Sequence, residues 1–478
     1  MRLRLCGLRL RLRRRRPLET EFSLPNWWTN LWKKSSPVDG LPKTGVYHFL
    51  WQSGQEKARM HLRVDADGSG VLMVNASRIY HFNPTAAAMA YWALNQTDHQ
   101  QAVNNLSRCY NVDHTTAEQD YSQFEQQIER IVHPDGSCPV CDLGMDIVAP
   151  FTTVPSSPYR MDLAVTYRCN NNCRHCYNAR SRAFPEMPPE KWFEVLDRLW
   201  DIGIPHIVFT GGEPTLYRHL PDLIAHAEKK GQITGINTNA RQLKNKDYVQ
   251  QLIDAGLDHV QITLESHIPS IHDTMVASQG AWEDTVQGLE NVIDSSLFVM
   301  TNTTLLRNNA AYLQDTLTFL ESKKVPTIGL NALIYSGKGK AVDTGLSEQE
   351  LVPLLEIARA HTARSGQRLI WYTPTEYCHF DPVLLELGVK GCTAALYNMC
   401  IEPDGSVLPC QSYYQSLGNI LENSWDSIWN HDLAVSLRER RNLPEKCHAC
   451  ELLAECGGGC PLAREAHSQE EPQLISVV

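Results

Sequence analysis

The sequence has no apolar run approaching the ~20 residues that a membrane helix needs, so it reads as a soluble chain with no membrane partner. It also lacks an excess of positive charge. Its 44 Lys and Arg stand against 54 Asp and Glu, a formal net charge of −10. General nucleic-acid binding favours the opposite footprint, so no nucleic-acid partner is expected. No secretory signal, long-period repeat or long low-complexity segment is visible. At 478 residues the chain is too long for a secreted disulfide scaffold. What it does have is cysteine: 15 of them, at tight and unequal spacings. In a long chain that pattern suits metal or redox chemistry. Thiolates that hold iron cannot be paired with one another, so the expected compartment is reducing and cytoplasmic.

The length suggests two to four domains. Residues 1–44 begin with MRLRLCGLRLRLRRRRP, an Arg/Leu alternation read as a disordered arm or over-extended start rather than a targeting peptide. Residues 45–135 carry three strand-like runs, MHLRVD (60–65), GVLMVN (70–75) and RIYHFN (78–83), with turns at Asp67-Gly68 and Asn75. Pro84 then opens the first of three helical stretches. Three strands followed by three helices predict a winged-helix-like α+β domain. Residues 136–160 read as a linker. Within it Cys138-x2-Cys141 is either a pair of linker thiols or part of a metal site.

From 161 to 344 strands alternate with helices. The strand runs are 161–167, 206–210, 234–239, 259–265, 298–304 and 328–334. Repeated βα units imply a parallel sheet with right-handed crossovers, here a partial (β/α)6 barrel in an α/β protein. Residues 345–385 form a bridge, and residues 386–478 a cysteine-rich domain and tail.

Directly after the first barrel strand stands Cys169-x3-Cys173-x2-Cys176. Barrel active sites lie in such βα loops. Three thiolates on one loop can cap three corners of an iron–sulfur cubane and leave its fourth iron open. Spacing alone leaves a zinc site open, with His175 as fourth ligand. The next strand ends in Thr210-Gly211-Gly212-Glu213-Pro214. Its glycines would let the backbone approach a ligand closely, and Pro214 fixes the chain after Glu213. By itself this segment is an ordinary strand-to-helix turn.

Together, the two motifs resemble the radical S-adenosylmethionine (radical SAM) superfamily over roughly 160–340. The resemblance implies a [4Fe–4S] cluster on Cys169, Cys173 and Cys176. It implies S-adenosylmethionine held at Gly211, Gly212, Glu213 and Pro214, with contacts from Asn237, Thr238 and Asn239. Glu265 stands where the family has Asp, and Asn302 and Thr303 end another strand. The implied activity is reductive cleavage of S-adenosylmethionine to a 5′-deoxyadenosyl radical. A reductant such as flavodoxin or ferredoxin would supply the electron.

Two further patterns, Cys392-x12-Gly405-x4-Cys410 and Cys447-x2-Cys450-x5-Cys456-x3-Cys460, resemble the SPASM extension of that family. It carries one or two auxiliary [4Fe–4S] clusters. By its wiring Cys392, Cys410 and Cys460 serve the first, which Cys400 could complete, and Cys447, Cys450 and Cys456 serve the second. The family's last cysteine is missing after Cys460, leaving an open iron or a ligand such as His448 or His467. A zinc ribbon is the other reading of these pairs. Cys6, Cys109 and Cys378 are expected to be unliganded.

Residues 45–135 resemble the small peptide-recognition domain of pyrroloquinoline quinone biosynthesis, through Asn83-Pro84-Thr85-Ala86, the aromatic helix after it and the acidic helix near Asp120. That domain adds a precursor peptide's strand to its sheet edge. A structural cap ranks second, and DNA contact third because no basic patch is present. The expected function is modification of a ribosomally made precursor peptide. The alternatives are side-chain modification of a tetrapyrrole and a non-catalytic iron–sulfur redox sensor.

Overall fold

The computed structural model describes residues 40–53, 56–75, 78–132 and 154–468. The arm, Cys6 and the Cys138/Cys141 pair lie outside them. Among the described residues no helix is long and apolar enough to cross a membrane.

The N-terminal unit has four strands rather than the expected three: β1 (Gly45–Ser53), β2 (Glu56–Val64), β3 (Gly70–Val74) and β4 (Arg78–Phe82). They pair as an antiparallel meander in chain order. The sequence reading missed β1, whose Tyr47, Phe49 and Trp51 are only partly buried against the helices while Leu50 is exposed. Helices α1 (Pro84–Leu94), α2 (His99–Tyr110) and α3 (His114–Val132) follow. The Asn83 side chain starts α1 by accepting the Ala86 N–H at 2.8 Å.

Strand β2 explains how this unit is mounted. A strand sends alternate side chains to opposite faces. Met60, Leu62 and Val64 pack under the helices, with Leu72, Trp92 and Tyr121. Arg59, His61 and Arg63 point the other way and are just as buried, because that face lies on the barrel. Arg59 pairs with Glu228 at 2.5 Å and Asp258 at 3.1 Å. Arg63 donates to Ser157 Oγ at 2.7 Å. His61 Nε2 lies 2.6 Å from the Gly231 carbonyl oxygen. Gly231 is the left-handed C-cap of a barrel helix, and a Cβ there would sit 2.6 Å from the His48 ring.

Burial holds His61 neutral, its pKa lowered to about 3 against the pull of the Gly231 carbonyl. An unfolded His61 takes up a proton near pH 6.5 that the folded one refuses, so this residue makes stability fall as pH drops from about 6.5 toward 3. His61→Gln keeps a donor for Gly231 and removes the titration. At pH 5 the variant is expected to regain about 2 kcal/mol relative to its own offset at pH 7.5. Chemical denaturation at both pH values checks this.

The barrel sheet runs through β5 (Arg160–Thr166), β6 (His206–Gly211), β7 (Ile233–Thr238), β8 (His259–Thr263), β9 (Phe298–Thr304) and β10 (Thr327–Asn331), all parallel. The connecting helices are α4 (Pro189–Ile202), α5 (Leu220–Lys230), α6 (Lys246–Asp254), α7 (Pro269–Val276), α8 (Ala281–Ile293) and α9 (Leu313–Ser322). Helix α4 shows the outer layer's logic: Trp192, Val195, Leu196 and Leu199 recur at helical spacing and are fully buried against the sheet.

The bridge is more than a connector. It contains α10 (Glu348–Ser365), started by a Ser347/Glu350 capping box, and β11 (Arg368–Trp371), a seventh parallel strand on β10. On the opposite edge, β12 (Asn398–Ile401) from the cysteine-rich region pairs parallel with β5, and β13 (Val407–Leu408) pairs antiparallel with β12. The partial barrel is thereby widened at both edges by segments whose strand runs are too short to stand out in the sequence.

Candidate active site

The loop after β5 is held by residues from across the barrel mouth. Asn172 N–H donates to the Val276 carbonyl at 2.9 Å and Arg174 N–H to that of Met275 at 3.0 Å. Arg241 Nη1 donates to Asn170 O at 2.7 Å and Asn171 Oδ1 at 3.0 Å, while the same guanidinium pairs with Asp284 at 3.0 Å. Lys338 N–H donates to Cys176 O at 2.9 Å. These anchors follow no local motif, and the sequence reading missed Arg241 and Lys338.

The Gly211–Gly212 pair makes a close approach within the chain itself. A Cβ on Gly211 would lie 2.2 Å from Thr166 O, and one on Gly212 2.3 Å from Arg168 O. Gly212 N–H donates to Thr166 O at 2.7 Å, and Glu213 N–H to Arg168 O at 2.8 Å. The glycines thus let this turn pack against the backbone that leads into the thiol loop. They also line the cavity. Pro214 is buried at the start of a short 3-10 turn, and its carbonyl accepts the Tyr217 N–H at 3.0 Å.

Glu213 is buried and ties strand ends together. It accepts hydrogen bonds from Thr215 Oγ1 and Thr238 Oγ1, both at 2.6 Å, and from Asn239 N–H at 2.8 Å. Burial pushes its carboxyl up, against these donors, which favour the charged form. Asn239 Nδ2 reaches Asn170 Oδ1 at 2.7 Å and stands 4.0 Å from Cys169 Sγ. Asn237 opens on the cavity.

Glu265 is engaged within the chain. One oxygen meets His175 Nε2 at 2.9 Å and the other accepts Thr304 N–H at 2.9 Å. Burial lowers the His175 pKa, but the Glu265 carboxylate outweighs it and holds the imidazole above its ordinary value. His175 is therefore a strut of the loop fixed by Glu265. Of the two weaker candidates, Asn302 lines the cavity, whereas Thr303 is buried with its hydroxyl on the Leu264 carbonyl at 2.6 Å.

One cavity of about 650 Å³ joins these parts. Cys169, Cys173 and Cys176 open on it, and so do Cys392, Cys410 and Cys460 from the cysteine-rich region. It runs down the barrel past Gln261 and His206 to Met73 and Ile79 of the N-terminal sheet. None of the described cysteines is in a disulfide. Burial pushes the Cys169 thiol up to about 11 and holds the Cys173 thiol well above its ordinary value. Such thiols become thiolates only where a metal displaces their proton.

Zinc–sulfur bonds of ~2.3 Å put tetrahedral sulfurs only about 3.8 Å apart. Among the described residues, the one trio of His, Cys, Asp or Glu ligand atoms within 4.8 Å of one another is Glu376, Cys378 and His379. The three loop thiols are not all within that distance of one another.

Cys400 does not join its neighbours. It sits on β12 opposite Asp162, buried among Ala164, Tyr167 and Leu408. It is absent from the lining that Cys392, Cys410 and Cys460 share. Its expected place as a completing ligand is corrected to that of a small core residue, because the strand register directs it into the sheet's packing. His467, a candidate for the missing ligand, meets the Tyr335 hydroxyl at 3.0 Å instead.

Residues 163–320 match the model of the radical SAM superfamily, and residues 392–451 that of an iron–sulfur cluster-binding domain, SPASM. The chain is a radical SAM enzyme. A radical SAM domain takes a [4Fe–4S] cluster and S-adenosylmethionine, and a SPASM domain takes auxiliary iron–sulfur clusters. The radical SAM enzyme is 27% identical over 63% of its length to an Fe-coproporphyrin III synthase of Methanosarcina barkeri, covering 83% of that protein. It is also 27% identical over 63% of its length to a PqqA peptide cyclase of Rhizobium meliloti, covering 82% of that protein. Its fold is similar to that of SuiB from Streptococcus suis, solved with the precursor peptide SuiA. The TM-score is 0.64 at 16% identity, covering 87% of this chain and 96% of that one.

Proposed function

We propose that this radical SAM enzyme modifies a precursor peptide. The cavity carries the reading: one continuous space leads from the thiol loop through the barrel to β3 and β4 of the N-terminal sheet. Among the described residues strand β4 is the last in that sheet's order, and an unpaired strand edge is a template for an added peptide strand. A peptide docked there has a path for its modifiable segment to the barrel mouth.

The lining fits a peptide too. Amides of Asn237, Gln261, Asn302 and Asn331 project from successive strands. Two of its arginines are ion-paired, Arg160 with Asp162 at 2.8 Å and Arg180 with Glu402 at 2.6 Å, while Arg182 donates to the Cys169 carbonyl at 2.9 Å and Lys338 Nζ to Asn172 Oδ1 at 2.5 Å. A tetrapyrrole with several carboxylates calls for unpaired cations. The relative that makes Fe-coproporphyrin III keeps that substrate as the second reading.

In this assignment Cys169, Cys173 and Cys176 hold the [4Fe–4S] cluster, and Cys392, Cys410 and Cys460 an auxiliary one on the facing wall. When bound and reduced, the first cluster supplies the electron that cleaves S-adenosylmethionine. The chain's own groups position and enclose. Arg241 and Glu265, through His175, fix the loop. Glu213 fixes the strand ends at which the amino group of S-adenosylmethionine would sit, and Asn237 and Asn239 add polar contacts there. The redox setting is a reducing, cytoplasmic one, with flavodoxin or ferredoxin as the class of donor.

Docking is tested by equilibrium binding of a fluorescently labelled candidate peptide encoded beside this gene. Ile79→Asp, on β4 at the end of the cavity, is expected to weaken binding at least tenfold. Equal affinity in both proteins, or retention of an iron coproporphyrin but no peptide, would sink the peptide reading.

A further inference from the structure

The C-terminal cysteines separate into two sets. Cys392, Cys410 and Cys460 line the central cavity, whereas Cys447, Cys450 and Cys456 do not. Cys447 and Cys456 sit on two short helical turns, Glu445–His448 and Leu453–Cys456, with Cys450 between them. By the sequence pattern it is one thiol short. What the sequence does not show is which segment packs on it.

That segment is the bridge just after β11. Tyr377 N–H donates to Cys456 Sγ at 3.3 Å, and Cys456 Sγ lies 3.6 Å from the Thr375 carbonyl oxygen. Glu376 packs so tightly on the turn after Cys456 that a Cβ on Gly459 would lie 2.7 Å from its Cγ. Residues 375–377 thus wrap Cys456, and Cys378 comes next in the chain. The Cys378 sulfur lies within 4.8 Å of a Glu376 carboxylate oxygen and a His379 ring nitrogen, beside that wrap. Backbone N–H groups aimed at a ligand sulfur are a usual feature around thiolate-held clusters.

We propose that Cys378 supplies the fourth thiolate to a cluster held by Cys447, Cys450 and Cys456, replacing the cysteine absent after Cys460. This rests on the reading that those three cysteines hold an auxiliary cluster. Thiolate is the preferred ligand among the nearby choices. His379 Nδ1 is bonded to Glu348 at 2.5 Å, and Glu376 lies against Gly459. His448, between Cys447 and Cys450, is exposed. Cys378 and Cys450 are also exposed, so this cluster would stand at the surface, where a protein reductant can reach it.

The experiment uses the full-length chain, loaded anaerobically with iron and sulfide. Iron and sulfide per chain and the electron paramagnetic resonance spectrum after reduction are compared among wild type, Cys378→Ala, Cys378→Ser, Glu376→Ala, Cys447→Ala and Cys109→Ala. Both Cys378 variants are expected to lose or spectrally alter one cluster, up to about four irons, and to resemble Cys447→Ala. Cys109→Ala should match wild type. Retention of the remaining clusters' signals shows that each variant is folded. Wild-type iron and spectrum in both Cys378 variants, with loss in Cys447→Ala, overturns the assignment of Cys378. So does loss in Glu376→Ala alone. No loss in Cys447→Ala overturns the underlying reading of the second set, and the proposal with it.

Discussion

Replacing Cys173 by Ala reduces S-adenosylmethionine cleavage by roughly 10³-fold or more, to the level of protein without iron. Cys173 is the middle thiol of the loop and opens on the cavity beside Cys169 and Cys176. Its neighbours Asn172 and Arg174 are pinned to the carbonyls of Val276 and Met275, so no other side chain can swing in to replace it. The loss should be chemical rather than structural, because the loop's anchors are backbone bonds and side chains other than Cys173. The check is 5′-deoxyadenosine formed by anaerobically reconstituted, reduced protein, together with thermal unfolding of the same samples. A variant that keeps cleavage while matching wild type in stability would remove the thiol loop from the chemistry.

Gly212→Ala is expected to be nearly as damaging, for a steric reason. Its backbone is outside the left-handed region, so alanine meets no conformational penalty there. The added Cβ instead falls 2.3 Å from Arg168 O and 2.6 Å from Tyr167 O, and backbone cannot move aside as a flexible side chain can. Relief requires the β6 turn to part from the base of the thiol loop, breaking the Gly212–Thr166 and Glu213–Arg168 hydrogen bonds. Displacements of this size at a reacting centre cost ~10²-fold in rate, and overpacking a buried contact costs about 1–3 kcal/mol in stability. Cleavage rate and unfolding midpoint, measured on one preparation, test both. Unchanged rate would mean that the two motifs are not mechanically joined.

Much of this architecture is written locally and could be read. Strand–helix alternation marks β5 to β10, and the Cys169–Cys176 and Gly211–Pro214 motifs each sit at a strand's C-terminal end. What escaped reading depends on partners distant in sequence. Glu265 stands at the right strand end, but only the fold shows that His175 occupies it. Arg241 carries no motif and earns its place by reaching Asn170 and Asp284 at once. Cys400 lies among genuine candidate ligands in sequence, yet the β12–β5 register turns it into core. Cys378 is the reverse: isolated in sequence, it follows the Thr375–Tyr377 segment that the chain after β11 lays on Cys456. Strands as short as Arg368–Trp371 and Val407–Leu408 carry too few residues for an alternation to be seen.

The central claim is that a peptide enters the barrel and is modified there. Its most direct test is the mass of a candidate precursor peptide after incubation with the reduced, iron-loaded enzyme and S-adenosylmethionine. The account predicts a mass change that requires both S-adenosylmethionine and Cys173 and that rises in step with 5′-deoxyadenosine. An unchanged peptide, alongside conversion of an iron tetrapyrrole precursor to iron coproporphyrin under the same conditions, would contradict it.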